Sequence, residues 1–209
     1  MKYSVKEIFY SIQGEGVHTG RPSVFCRFTG CNLWNGKEED RNIAKCSFCD
    51  TDFIGTDGEG GGKFIGADKL AQAIISYWSS DTRPFVVLTG GEPMLQVDIY
   101  LISALKKYGC EIAIETNGTI KVPREIDWIC VSPKAGNKII QTSGDELKLV
   151  YPQIGINPSS FEKYAFKNFS LQPMDGELKV YNTNLTLEYC KKNPTWRVSL
   201  QTHKVIGIR

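Results

Sequence analysis

The feature that most constrains this fold is a series of short apolar runs, each of which ends in polar or glycine-containing residues. Near-continuous apolar character bounded by turn residues is typical of strands that are buried on both faces, as in a parallel sheet. The runs are "SVFCRFTG", "FVVLTGGEP", "IAIETNG", "WICVSPK", "ELKLVYP", "FSLQPMD" and "WRVSLQTHK". We therefore predict an α/β fold built on a largely parallel sheet.

Apolar residues recur at helical spacing in three further segments, at 70–78, 99–105 and, weakly, 185–189. The first two lie between consecutive strands, which predicts right-handed crossover units. Only about ten residues separate "ETNG" from "WICV", which is short for a helical crossover. The pattern predicts an incomplete barrel or open sheet of about six strands and about three helices. With no linker evident, we expect a single domain over residues 1–209.

Polar residues cluster directly after the predicted strands. In barrels of alternating strands and helices, the carboxyl ends of the strands carry the active site. We therefore expect the clusters to surround one site. They lie at 89–92, 115–118, 132–134, 172–175 and 201–204.

Charge and composition exclude several classes of function. The net charge is only +2, and no basic stripe of the kind that neutralises phosphates is present, so we expect no nucleic-acid partner. The first ten residues do not resemble a signal peptide, and no apolar run is long enough to span a bilayer. We therefore expect a cytosolic protein without a membrane partner. In that compartment, seven cysteines favour metal binding or simple burial over disulfides.

Three cysteines lie in polar, loop-like sequence: Cys31, Cys46 and Cys49. The other four, at 26, 110, 130 and 190, have apolar neighbours, and we expect them to pack in the core. A structural zinc site takes four ligands, so a zinc ribbon would need Cys26 as its fourth ligand. A 4Fe-4S cluster is the better use of three thiolates, because the fourth iron then stays open for substrate or cofactor.

The three cysteines, the aromatic residue Phe48 inside the final CxxC, and the later "TGGEP" together resemble the radical S-adenosylmethionine (SAM) superfamily. The usual spacing in that superfamily is CxxxCxxC, whereas this chain has Cx14CxxC, with an insert at about 32–45. The resemblance implies an abridged radical SAM partial TIM barrel. It also implies a 4Fe-4S cluster on Cys31, Cys46 and Cys49, whose open iron chelates SAM, and a 5′-deoxyadenosyl radical formed on reduction.

The same resemblance implies a set of SAM-binding residues. Gly90 and Gly91 would permit close approach of the methionine end, and Glu92 would accept from its ammonium group. The remaining positions follow the strands or flank the last cysteine. The full set is Phe48, Cys49, Asp50, Gly90, Gly91, Glu92, Asn117, Ser132, Pro133, Lys134, Gln172 and Asp175.

The N-terminal "QGEG" and "GRPSVFCRFTGCNLW" make the chain similar to the 7-carboxy-7-deazaguanine synthase family. The resemblance implies a homodimeric lyase of queuosine and 7-deazapurine biosynthesis. Such an enzyme contracts the ring of 6-carboxy-5,6,7,8-tetrahydropterin with loss of ammonia. It implies Mg²⁺ on Thr51, which suits a cation that prefers oxygen ligands. The implied substrate-binding residues are Ile12, Gln13, Gly14, Glu15, Arg27, Thr89, Gln172 and Arg209.

Arg27 would hold the substrate carboxylate, because its guanidinium offers two-pronged geometry that lysine lacks. The alternative for Arg27 is a salt bridge to Glu15. Arg209 would contribute its terminal carboxylate.

Two alternative functions remain open at this point, a glycyl-radical activating enzyme of the same superfamily and a non-catalytic zinc module. For the insert, the charged "GKEEDRN" most simply predicts a solvated helical turn. A more specific hypothesis is that the insert forms a docking surface for a flavodoxin-type electron donor.

Overall fold

The structure is a computed structural model that describes all 209 residues, and its nine strands form one continuous sheet. The order across the sheet is β3-β1-β2-β4-β5-β6-β7-β8-β9. The strands are β1 (Lys2–Ile12), β2 (Pro22–Phe28), β3 (Gly62–Ile65), β4 (Phe85–Gly90), β5 (Glu111–Thr116), β6 (Trp128–Val131), β7 (Ser143–Tyr151), β8 (Ala165–Pro173) and β9 (Trp196–Val198).

All neighbouring pairs from β2 to β9 are parallel, whereas β1 is antiparallel to β2 and β3 is antiparallel to β1. The sheet is therefore a parallel array of seven strands with a two-stranded antiparallel extension at one edge. The α/β class and the largely parallel sheet are confirmed. Because β3 and β9 lie at opposite edges and do not pair, the barrel is incomplete, as predicted.

Four α-helices accompany the sheet, together with three short 3-10 helices. The α-helices are α1 (Ala67–Ile75), α2 (Ile99–Lys107), α3 (Lys179–Lys192) and α4 (Thr202–Ile206). The 3-10 helices span Glu38–Ile43, Pro93–Leu95 and Pro158–Phe161. The connection from β5 to β6 contains no helix, as its short length predicts. No helix has the length and apolar character needed to cross a membrane.

The nine strands and four α-helices exceed the predicted count of about six strands and about three helices. The segment that became β1 has a mixed apolar and polar sequence, because only part of the strand faces the core. Strand β3 lies inside the glycine-rich segment and gains its order by pairing with residues 2–5 of β1. The final apolar run contributes only three residues to β9, and its polar end begins α4.

The largest core cluster lies between the sheet and helices α1 and α2. It contains 21 buried residues, including Leu70 and Ile74 from α1 and Leu101 and Leu105 from α2. The Asp98 side chain caps α2 by accepting from the Leu101 amide at 2.9 Å. This layer covers one face of β1, β2, β4 and β5, which leaves the opposite face to line an interior space.

Candidate active site

A cavity of about 560 Å³ lies on the inner side of the sheet and opens at the carboxyl ends of the parallel strands. All five of the predicted polar clusters contribute to its wall. Of the site residues predicted from the sequence, only Glu92 and Pro133 do not line it. Those that do are Ile12, Gln13, Gly14, Glu15, Arg27, Cys31, Cys46, Phe48, Cys49, Asp50, Thr51, Thr89, Gly90, Gly91, Asn117, Ser132, Lys134, Gln172, Asp175 and Arg209.

The three predicted cluster ligands share one end of this cavity. Cys31 follows β2, and its Sγ accepts a hydrogen bond from the Leu33 amide at 3.4 Å. A hydrogen bond from the Cys46 thiol lowers the pKa of Cys49 to about 6, although burial opposes that shift. Cys49 is therefore the more acidic thiol of the CxxC pair, since the same hydrogen bond raises the pKa of Cys46.

The number of these thiolates suits a 4Fe-4S cluster better than a structural zinc ion, which takes four ligands. No three His, Cys, Asp or Glu side chains in the chain are grouped as ligands of one metal ion. A 4Fe-4S cluster binds each cysteine to a different iron, so its thiolates need not converge on a point. Cys26 is fully buried in the core between β2 and the helices, so it cannot serve as a fourth zinc ligand. The donor set therefore fits the iron-sulfur cluster that the sequence predicts.

Glu92 lies behind the cavity wall, and its side chain is fully buried. One carboxylate oxygen accepts from the Met94 amide at 2.9 Å and the Thr116 hydroxyl at 2.7 Å. The other accepts from the Asn117 amide at 2.8 Å. Glu92 therefore joins the ends of β4 and β5. The predicted contact with the SAM ammonium group would therefore need a lone pair of a Glu92 carboxylate oxygen that these three hydrogen bonds do not use.

Gly91 is required by the packing of the main chain. A Cβ at this position would lie 2.2 Å from the main-chain oxygen of Gly30, so no other residue fits without moving the segment that precedes Cys31. Pro133, the second predicted residue outside the cavity wall, accepts through its main-chain oxygen from Gln153 at 3.3 Å. Both residues thus hold neighbouring loops in place.

Two predicted carboxylates at the cavity mouth share a cation from α4. Lys204 Nζ lies 2.6 Å from the Asp50 carboxylate and 2.6 Å from that of Asp175. Hydrogen bonds from Lys204 outweigh burial and lower the pKa of Asp175 to about 2. Helix α4 is thereby tied both to the cysteine loop and to the residues that follow β8.

Polar side chains of the QGEG segment form a network inside the barrel. Lys148 Nζ lies 2.5 Å from the Glu15 carboxylate and 3.5 Å from that of Glu115. Gln13 donates to Glu115 at 3.0 Å, and Gln172 donates to Glu15 at 3.1 Å. Burial alone would raise the pKa of Glu15, but the charge of Lys148 lowers it to about 2. The two carboxylates raise the pKa of Lys148 against the opposing effect of burial, so the pair stays charged.

Arg27 pairs with Glu7 and not with Glu15, so the alternative predicted for it names the wrong carboxylate. Its Nε donates to Glu7 at 2.7 Å, while its two terminal nitrogens form no hydrogen bond within the protein. Glu7 also accepts from the Arg209 guanidinium, which lies over the Phe9 ring with its Cζ 4.7 Å from the centroid. Arg27 therefore presents free donors beside a fixed aromatic face.

Other predicted contacts are placed by close packing. A Cβ on Gly14 would lie 2.1 Å from Nδ1 of His203, so glycine allows α4 to approach the QGEG segment. Thr51 and Thr89 both line the cavity, and neither hydroxyl has a hydrogen-bond partner in the protein. Asn117 donates through its side chain to Asn32 at 2.9 Å, which links the end of β5 to the cysteine loop.

Lys148 is the main feature of the site that the sequence predictions missed. The residue is buried, and it stands between Leu147 and Leu149 in β7. Glu146, two residues earlier, is also buried and points to the same interior. A lysine between two leucines of a predicted strand is the signal that could have identified it, because charged residues are rarely buried without a partner.

Comparisons with known proteins agree with this arrangement. Residues 43–164 match the radical SAM superfamily. The chain is 58% identical over 211 residues to a 7-carboxy-7-deazaguanine synthase of Bradyrhizobium diazoefficiens, and the match covers 100% of both chains. It is 56% identical to a protein of the same name from Burkholderia multivorans, again over 100% of both. Among solved structures it is similar to QueE from Escherichia coli, with a TM-score of 0.70, 26% identity, and coverage of 97% of this chain and 95% of that one.

Proposed function

The chain belongs to the radical SAM superfamily and, within it, to the 7-carboxy-7-deazaguanine synthases, and on that premise we propose roles for the individual residues of its site. It is an enzyme of queuosine biosynthesis that uses a 4Fe-4S cluster and SAM to convert 6-carboxy-5,6,7,8-tetrahydropterin to 7-carboxy-7-deazaguanine. The observation that carries the residue assignments is that the cysteine loop and the QGEG network face one cavity.

The cluster and SAM supply the radical when they are bound, and the chain supplies their attachment. Cys31, Cys46 and Cys49 hold three irons, which leaves the fourth for SAM. Around this end of the cavity, the residues that bind SAM come from the cysteine loop and from the carboxyl ends of β4, β5, β6 and β8. They are Phe48, Cys49, Asp50, Gly90, Gly91, Glu92, Asn117, Ser132, Pro133, Lys134, Gln172 and Asp175.

The pterin occupies the barrel interior, where its donors and acceptors meet the amide and carboxylate groups of Gln13, Glu15 and Gln172. These three side chains are already fixed by the network around Lys148, so they lose little conformational freedom on binding. Ile12, Gly14, Thr89 and Arg209 complete this part of the wall.

Arg27 binds the carboxylate of the substrate. Its pairing through Nε fixes the plane of the guanidinium and leaves the two terminal nitrogens free for two parallel hydrogen bonds. The half-buried position, with 22% of the side chain exposed, reduces solvent screening of the pair.

Thr51 supplies a hydroxyl ligand to Mg²⁺. Thr51 lines the cavity two residues after Cys49, and its hydroxyl has no hydrogen-bond partner in the protein. Magnesium commonly takes few protein ligands and completes its shell with water and substrate oxygens. A metal held there would supply positive charge that holds the substrate carboxylate.

Three features of the proposal concern the whole protein. We propose a homodimer, a cytosolic location and a flavodoxin-type electron donor, each of which rests on the family resemblance. Light scattering of the purified protein tests the first. Pull-down by an immobilised flavodoxin tests the last.

The function is tested by incubating the reduced, cluster-loaded protein with SAM, Mg²⁺ and 6-carboxy-5,6,7,8-tetrahydropterin. The expected product is 7-carboxy-7-deazaguanine, with one ammonia released for each molecule. Cleavage of SAM without this product would instead indicate an activating enzyme, the alternative that the full-length relatives do not support. A colourless protein with one zinc per chain would contradict the radical chemistry altogether.

A further inference from the structure

The insert between the first two cysteines contributes one side chain that reaches the CxxC segment. The insert forms the 3-10 helix Glu38–Ile43, which has no buried residue and confirms the predicted solvated turn. Arg41 turns from this helix toward the next loop. Its Nη1 donates to the main-chain oxygens of Ser47 at 2.9 Å and Cys49 at 3.0 Å. These carbonyls flank Phe48 in the chain.

The main chain from Cys46 to Asp52 has no comparable support. None of its N–H or C=O groups forms a main-chain hydrogen bond with a residue outside this segment. The only side chain from elsewhere in the protein that hydrogen-bonds to its main chain is Arg41. Segments without such bonds open at low free-energy cost. Lys204 and Lys6 also hold this loop, through the side chains of Asp50 and Asp52. The guanidinium of Arg41 is therefore the one group from outside the loop that restrains its main chain directly.

Arg41 is itself held in position by two neighbours. Glu38 accepts from its Nε at 2.6 Å and also from Nη2. The guanidinium lies over the ring of Trp34, with its Cζ 4.2 Å from the centroid. Trp34 is 7% exposed and packs edge to face on Phe53. Arginine is suited to this task because its planar donors bond in fixed directions while its face stacks.

We propose that Arg41 is a positioning residue for the cluster-binding loop, and that the Cx14CxxC insert serves to deliver it there. By fixing the carbonyls of Ser47 and Cys49, Arg41 sets the positions of the Cys49 thiolate and the Phe48 ring before the cluster is assembled. The consequence for SAM binding rests on the proposed function, whereas the restraint on the loop does not. Because Glu38 neutralises the guanidinium, the main effect is geometric and not a change in local charge.

The restraint is tested first in the cluster-free protein. Arg41→Met keeps an unbranched side chain over Trp34 and removes every donor. Lys37→Met is the matched control, because Lys37 lies beside the same helix, its side chain is largely exposed, and its ammonium group pairs only with Glu39, at 3.6 Å. Chymotrypsin cleaves after aromatic residues, so its rate at Phe48 reports how often the loop opens. We expect cleavage at Phe48 to be about ten-fold faster in Arg41→Met, which corresponds to about 1.4 kcal/mol, and unchanged in Lys37→Met.

The second arm uses the cluster-loaded enzyme. Arg41→Met should broaden the electron paramagnetic resonance spectrum of the reduced, SAM-bound cluster and raise KM for SAM more than it lowers kcat. If Arg41→Met does not fold, Glu38→Gln replaces it. This variant weakens the ion pair that holds the Arg41 guanidinium, so the cleavage rate at Phe48, the spectrum and KM for SAM should change in the same direction. Equal cleavage rates and spectra in the wild type and both variants would overturn the proposal, as would equal effects of Arg41→Met and Lys37→Met. A wild-type protein that binds no cluster would refute the proposed function and leave the cleavage test valid.

Discussion

The ammonium group of Lys148 lies 2.5 Å from the Glu15 carboxylate inside the barrel, and this pair fixes the QGEG segment against β7. The Lys148 side chain is 5% exposed and that of Glu15 is 16% exposed, so water screens the pair only weakly. Gln172 and Gln201 donate to the other oxygen of Glu15. A buried charged pair is stable in such a site when its remaining hydrogen-bonding groups also have partners. Either charge alone would destabilise the fold, because it would be buried without compensation.

Lys148→Met should destabilise the fold by about 3–5 kcal/mol, because it leaves the carboxylates of Glu15 and Glu115 in the barrel without their cation. Urea denaturation of the cluster-free protein measures this change. Lys167→Met is the control, because Lys167 pairs with Asp145 on the surface with 76% of its side chain exposed. Its effect should stay within about 0.5 kcal/mol. Equal effects of the two substitutions would contradict the structural role of Lys148.

Acid should weaken the same pair. The pKa of Glu15 is lowered to about 2 from its ordinary value of 4.5. A carboxylate with a depressed pKa contributes stability that is fully present above pH 4.5 and is lost as the pH falls through about 2. The contribution is about 3 kcal/mol. The free energy of unfolding should therefore fall across this window in the wild type, and the fall should be smaller in Glu15→Gln. Parallel pH profiles for the two proteins would refute this assignment.

Glu92→Gln should destabilise the fold by about 2–3 kcal/mol. Both carboxylate oxygens of Glu92 accept hydrogen bonds, so the NH₂ group of glutamine would replace an acceptor and face a group that also donates. Thermal and urea unfolding of the cluster-free protein measure the loss. The exposed Glu125→Gln makes the same chemical change on the surface and should have little effect. A loss below about 0.5 kcal/mol for Glu92→Gln would show that its three hydrogen bonds are not structural.

Arg27→Lys should raise KM for the carboxypterin about ten-fold or more, because a point charge replaces the two free guanidinium donors. Stability should change little. The control is Arg21→Lys, which breaks a two-pronged pair with Glu111 that lies outside the cavity wall. Steady-state kinetics with saturating SAM provide the measurement. An unchanged KM in Arg27→Lys, or an equal rise in both variants, would remove Arg27 from the substrate site.

Thr51→Val should raise the Mg²⁺ concentration needed for half-maximal activity, because the isosteric side chain lacks the ligand oxygen. Folding should be unaffected, since the hydroxyl forms no hydrogen bond in the protein. Thr56→Val, at a position outside the cavity wall, is the matched control. If Thr51→Val has the metal dependence of the wild type, the Mg²⁺ site lies elsewhere.

The site was predictable from the sequence where each segment carries its own signal. Parallel strands end at the same edge of a sheet, so polar residues after successive apolar runs had to meet, and they do so around one cavity. The three cysteines were separable from the other four by the polarity of their neighbours. Cys26 and Cys110 are indeed core residues.

The partners of individual charges were not predictable, because they depend on strand pairing. Arg27 contacts Glu7 because the two residues are directly opposed in the antiparallel pair of β1 and β2. Without β1 assigned as a strand, nothing in the sequence indicates that Glu7 lies opposite Arg27. The bond of Arg41 to the CxxC loop likewise depends on how the insert folds back, which periodicity does not encode.

The most direct test of the central claim is Mössbauer spectroscopy of the protein reconstituted with ⁵⁷Fe, recorded with and without SAM. Three cysteines and an open fourth position predict about four irons per chain, one of which changes its isomer shift when SAM binds. The same experiment on Cys31→Ala should show loss of the cluster, whereas Cys26→Ala should retain it. Four irons that all remain unaffected by SAM, or retention of the cluster in Cys31→Ala, would contradict the assignment of the three cysteines and of SAM as the missing ligand.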